Sequence, residues 1–84
     1  MKKCMITFRS VTPAQRAEDM LRRAGVECTI QRTPKWMEDK GCGYSLRLSC
    51  GDIMAAAALL RQAGVPFRRA YALGENGAPE ELRL

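Results

Sequence analysis

Residues 20–26 read Met-Leu-Arg-Arg-Ala-Gly-Val, and residues 59–65, 39 positions further on, read Leu-Leu-Arg-Gln-Ala-Gly-Val. Self-similarity at a fixed offset marks a duplicated supersecondary unit, and it constrains the fold more than any single motif here. In each copy a helical stretch ends on Ala, a Gly stands where a helix closes in the left-handed conformation, and Val leads into an extended segment. A helix delivering the chain into a strand, twice, is the implied plan.

The first helix is expected to take Thr12 as N-cap, with Pro13 at its first position and Gln15 completing a Thr-x-x-Gln capping box. Ala17, Met20, Leu21 and Ala24 then follow the i, i+3, i+4, i+7 spacing of one buried stripe. The second helix is expected over about 50–63, with Ser49 and Asp52 in the same cap spacing and Ile53, Ala56, Ala57 and Leu60 inward. Strands flank both helices. Cys4, Ile6 and Phe8 alternate with Met5, Thr7 and Arg9; Val26, Cys28 and Ile30 with Glu27, Thr29 and Gln31; Leu46 and Leu48 with Ser45 and Arg47. Residues 67–73 supply a fourth strand whose alternation Arg68 and Arg69 blur.

The order β-α-β-β-α-β with right-handed crossovers predicts an α+β, ferredoxin-like sandwich: a four-stranded antiparallel sheet in the order 4-1-3-2, with both helices on one face. The other face is expected to be polar, carrying Arg9, Arg47 and Arg68. Residues 1–73 form one domain in this reading, and 74–84, rich in Gly, Glu and Pro, a loosely held tail.

Composition bounds function. With 84 residues, 46% hydrophobic and 27% charged, the chain suits one globular domain with a small core. Its longest apolar run, residues 53–60, is far shorter than the roughly 18 residues a membrane helix needs. Met1-Lys2-Lys3 is not followed by a signal peptide's apolar stretch, so a cytoplasmic protein is expected. Histidine is absent, which excludes Ser-His-Asp and Cys-His nucleophilic catalysis and every His-ligated metal site. The net charge of +5 permits an acidic partner, but the basic residues are spread along the chain without a dense run.

Four cysteines in such a chain are expected as free thiols, metal ligands or redox groups rather than as a disulfide framework, and their placement decides which. Strand parity places Cys4 and Cys28 in the core, where cysteine behaves as a small hydrophobe, and Cys50 half-buried at the head of the second helix. Gaps of 24, 14 and 8 residues hold no Cys-x-x-Cys knuckle, so no metal site is expected. A Cys42 to Cys50 bridge fails on distance: eight strand residues span about 26 Å, against the roughly 7 Å between Cα atoms that a disulfide tolerates. No resolving cysteine for Cys42 is therefore expected within the chain.

Cys42 stands apart in Lys40-Gly41-Cys42-Gly43, at the end of the 33–43 connection between strands two and three. Gly41 and Gly43 remove steric cover, so an accessible thiol is expected. The predicted topology brings strand three's start to the end of strand one, near Arg9, Ser10 and the Thr12 helix terminus. Positive partial charge there, with Lys40, favours a thiolate or another anion. An idle surface cysteine is the competing reading of the same spacing.

Ile6-Thr7-Phe8-Arg9-Ser10 before the first helix, the helix exit at 21–26, Thr33-Pro34, and Gly41-Cys42-Gly43-Tyr44-Ser45-Leu46-Arg47 leading to Ala63-Gly64-Val65 together resemble the Se/S carrier protein-like family over about residues 4–73. The resemblance implies a small prokaryotic cytoplasmic carrier, not an enzyme. Its Cys42 would hold sulfur or selenium as a persulfide or selenosulfide, with no metal and no resident cofactor. It implies a donor such as a cysteine desulfurase and an acceptor protein as partners, and no membrane. The chain departs from the family pattern in Trp36-Met37, in the acidic pair Glu38-Asp39 and in the cysteines at 4, 28 and 50. Trp36 and Met37 guard the loop, form a partner-docking patch or cap the end of the small core.

Two other classes compete. A regulatory or interaction domain would pair through the polar sheet face, Arg9 and Arg47 meeting acidic residues of a partner or of a second copy. An RNA-binding module is the weaker reading. Met5, Thr7, Ser45 and Arg47 occupy the face where aromatic side chains would stack bases, while Phe8 and Tyr44 turn inward.

Overall fold

The computed structural model describes residues 3–32, 43–73 and 79–82. In chain order these form β1 (Lys3–Phe8), α1 (Val11–Arg23), β2 (Cys28–Arg32), β3 (Tyr44–Ser49), a 3-10 turn (Cys50–Asp52), α2 (Ile53–Ala63), β4 (Ala70–Leu73) and β5 (Pro79–Leu82). The five strands make one antiparallel sheet in the order β2-β3-β1-β4-β5. The relative order of β1 to β4 is the expected one, but the sheet has five strands rather than four. Residues 79–82, which fall in the stretch expected as a tail, pair with β4 because Leu82, opposite Ala70, packs half-buried against the main core. Arg69 adds an ion pair to Glu81 at 3.8 Å.

The repeat seen in the sequence is a repeat of helix endings. After α1, Val26 N–H donates to Leu21 O and Gly25 N–H to Arg22 O; after α2, Val65 N–H donates to Leu60 O and Gly64 N–H to Arg61 O. Gly25 and Gly64 have φ of 86° and 70°, which a side chain would strain, so both exits require glycine.

The helix starts differ from each other. α1 begins at Val11 with Ser10 as N-cap and no side-chain cap bond, so the expected Thr12 box does not form. Thr12 lies inside the first turn, where Pro13 is still accommodated because the first N–H groups of a helix have no intrahelical acceptor. The buried stripe is Ala14, Ala17 and Leu21; Met20 is half-buried, and Ala24 is exposed because it is already the C-cap. At α2, Ser49 accepts from Gly51 N–H at 3.4 Å and opens the 3-10 turn. Ile53, Ala56, Ala57 and Leu60 are buried as expected.

Ile6, Phe8, Leu46 and Leu48, with the helix stripes, make one core between the sheet and the two helices. The face away from the helices is not the uniformly polar surface expected. Met5, Tyr71 and Leu73 cluster on it, and Thr7 and Ser45 are 1% and 0% exposed. β4 also starts later than expected, at Ala70. Arg68 N–H donates to Thr7 O, while Arg69 N–H turns to the Thr7 hydroxyl at 3.0 Å and Thr7 N–H donates to Arg69 O. Two residues thus oppose one, a bulge-like break that ends the regular ladder.

On the other flank, α1 seals the free edge of β2. Glu18 Oε2 accepts from Ile30 N–H at 3.1 Å, Arg22 donates to Cys28 O at 3.1 Å, and the two side chains lie 3.6 Å apart.

Candidate functional site

The β1–β3 register ends on Phe8 opposite Tyr44, and the β2–β3 register on Arg32 opposite Tyr44. The backbone entering β3 through Gly43 therefore stands beside the backbone leaving β1 through Arg9 and Ser10. Gly43 itself is buried. Arg9, Ser10 and Thr12 are exposed.

This end of the molecule carries the positive pole of α1. Ser10 makes no side-chain cap bond and no acidic residue occupies the first turn, so nothing of the helix's own neutralises its leading amides. Beside it Arg9, Pro13, Pro66, Phe67 and Arg68 line an open groove of about 310 Å³. Arg61 stacks on the outer side of Phe67, 5.7 Å from the ring centre. Two guanidinium groups, a helix head and an apolar floor can hold an anion whose other side is hydrophobic, which is the character of a thiolate or persulfide. Lys40, Gly41 and Cys42, with Trp36 and Met37, lie outside the described residues.

The other three cysteines were read as thiols, and for two of them this is corrected. Cys4 and Cys50 form a disulfide, with Cα atoms 5.0 Å apart and 46 residues between them in sequence. Cys4 pairs with Leu48, two residues before Cys50, and the 3-10 turn folds Cys50 back over β1. The signal was available: the expected strand order makes strands one and three neighbours, and Cys50 shares the parity of Leu48. Cys28 is the buried free thiol. Its Sγ donates weakly to Glu18 O at 3.8 Å, and burial, reinforced by the Glu18 charge, pushes its pKa up against the opposing pull of Arg22. That thiol is held neutral and unreactive. Among the described residues no three His, Cys, Asp or Glu side chains converge as a metal site, and no helix is long and apolar enough to cross a membrane.

Fold and site define a small α+β protein with a five-stranded antiparallel sheet and a basic, uncapped helix head at one end of it. The chain belongs to the family described as "Putative Se/S carrier protein-like", whose model matches residues 3–72. No curated protein and no solved structure matches it.

Proposed function

We propose that the protein is a carrier that holds sulfur or selenium on Cys42 as a persulfide or selenosulfide, and that it performs no turnover chemistry of its own. Family membership over residues 3–72 supports the class. The observation that supports the position is the Phe8–Tyr44 register, because Cys42 is joined through Gly43 to the strand that starts beside Arg9 and the α1 head. In this reading β1 to β4 with α1 and α2 are a ferredoxin-like core that β5 extends.

Loading needs no net oxidation. The Cys42 thiolate attacks the terminal sulfur of a persulfide on a donor such as a cysteine desulfurase. The donor's S–S bond breaks, its cysteine leaves as thiolate, and Cys42 gains one sulfur. Selenium follows the same course. Arg9, Ser10, Thr12 and the α1 amides, with Lys40, stabilise the anionic terminal atom until an acceptor's nucleophile removes it and frees the Cys42 thiolate. Gly41 keeps the approach to the thiol open.

Trypsin places each of the four cysteines on its own peptide. Alkylation of the native protein near neutral pH is expected to modify the Cys42 peptide well before the Cys28 peptide, the Cys4 and Cys50 peptides staying joined by their disulfide, and Arg9→Glu is expected to slow Cys42. Labelling of Cys42 no faster than Cys28 would remove the basis for the proposal.

A further inference from the structure

The two sulfurs of the disulfide are unequal. Cys4 lies on β1 in the middle of the sheet, 0% exposed and surrounded by the main core. Cys50 is half-buried at the outer end of β3, where it opens the 3-10 turn ahead of α2. An incoming thiolate attacks along the S–S axis from behind the sulfur it bonds to, so access decides which sulfur reacts. Cys50 packs partly against the same core but keeps part of its surface in solvent, whereas Cys4 is closed off, so Cys50 is the more accessible of the two.

We propose that the Cys4–Cys50 bond is a thiol–disulfide exchange site for an external thiol reductant, with Cys50 the sulfur attacked and Cys4 the buried leaving group. A thiolate bonds to Cys50 Sγ, the Cys4–Cys50 bond breaks, and Cys4 leaves as thiolate and takes up a proton from solvent. A second thiolate attacks the external sulfur of the mixed disulfide and releases Cys50. The balance is two external thiols and one protein disulfide giving one external disulfide and two protein thiols. Exposure is what distinguishes the two sulfurs, since Cys4 is wholly buried and Cys50 is not. Burial closes Cys4 to direct attack, so exchange is confined to one sulfur.

Cys28 does not compete, because it is buried and its thiol is turned to Glu18 O. Cys50 follows the strand Tyr44–Ser49 at its far end from Gly43, and the exchange at this bond uses no other cysteine of the chain. It therefore does not rest on the carrier reading.

The test uses oxidised Cys42→Ser protein, folded, with excess reduced glutathione at mildly alkaline pH, quenched with acid and digested with trypsin. The expected result is glutathione on the Cys50 peptide and none on the Cys4 peptide, followed by two free thiols. Adduct on Cys4, equal adduct on both, or no reaction until urea is added would overturn the proposal, the last making the bond an inert staple. Because Cys42 is absent from this protein, failure here leaves the carrier reading untouched.

Discussion

Ser45 is fully buried and its hydroxyl has no hydrogen-bond partner among the described residues. A buried hydroxyl without a partner pays desolvation for nothing, so Ser45→Ala is expected to leave stability unchanged or raise it by up to about 1 kcal/mol in a urea titration. Cys28 gives a pH prediction. Its pKa is raised by burial and by Glu18, so the unfolded chain loses this proton first. The group's contribution is complete below the ordinary thiol pKa of about 8.5 and is lost as pH rises from there through the folded value. Cys28→Ala is expected to flatten the alkaline limb of stability against pH. At this scale the sequence was legible where parity alone decides. Cys4, Ile6, Phe8, Leu46 and Leu48 face the core as read, whereas Met5 and Thr7 are buried on the other face through neighbours such as Tyr71 and Arg69, which one strand's alternation does not reveal.

Among the elements, the helix exits were legible because Ala-Gly-Val encodes a backbone requirement, positive φ at Gly25 and Gly64, that does not depend on distant contacts. The α1 start was not, since Ser10 and Thr12 both suit an N-cap and the one used, Ser10, makes no side-chain cap bond that its residue type would announce. The edge strand β2 owes its isolation to Glu18 and Arg22, which occupy an outward N–H and an outward C=O that another strand would otherwise pair. Glu18→Ala is expected to cost about 1 kcal/mol. It also frees the Ile30 N–H, so sedimentation should show more concentration-dependent association than the parent. No change in either quantity would mean that the clamp is idle.

For the whole molecule, the disulfide closes a loop over much of an 84-residue chain whose core is small. Chain entropy assigns a cross-link of this span about 4 kcal/mol, a large part of the stability a domain this size has. Reduction is therefore expected to lower the thermal midpoint by many degrees while leaving the fold populated at low temperature. A midpoint that does not move would contradict the pairing. Strand order from β1 to β4 was legible in the duplicated pattern, but β5 was not, because a four-residue strand after a Gly-rich stretch gains its place from Leu82 meeting a core already built and from Glu81 meeting Arg69. Carriage of sulfur or selenium on Cys42, as proposed, is tested by peptide mass spectrometry after incubation with a cysteine desulfurase and either cysteine or selenocysteine. The account predicts one added sulfur or selenium atom on the Cys42 peptide and none in Cys42→Ser. A folded protein with reduced Cys42 that gains neither atom would contradict it.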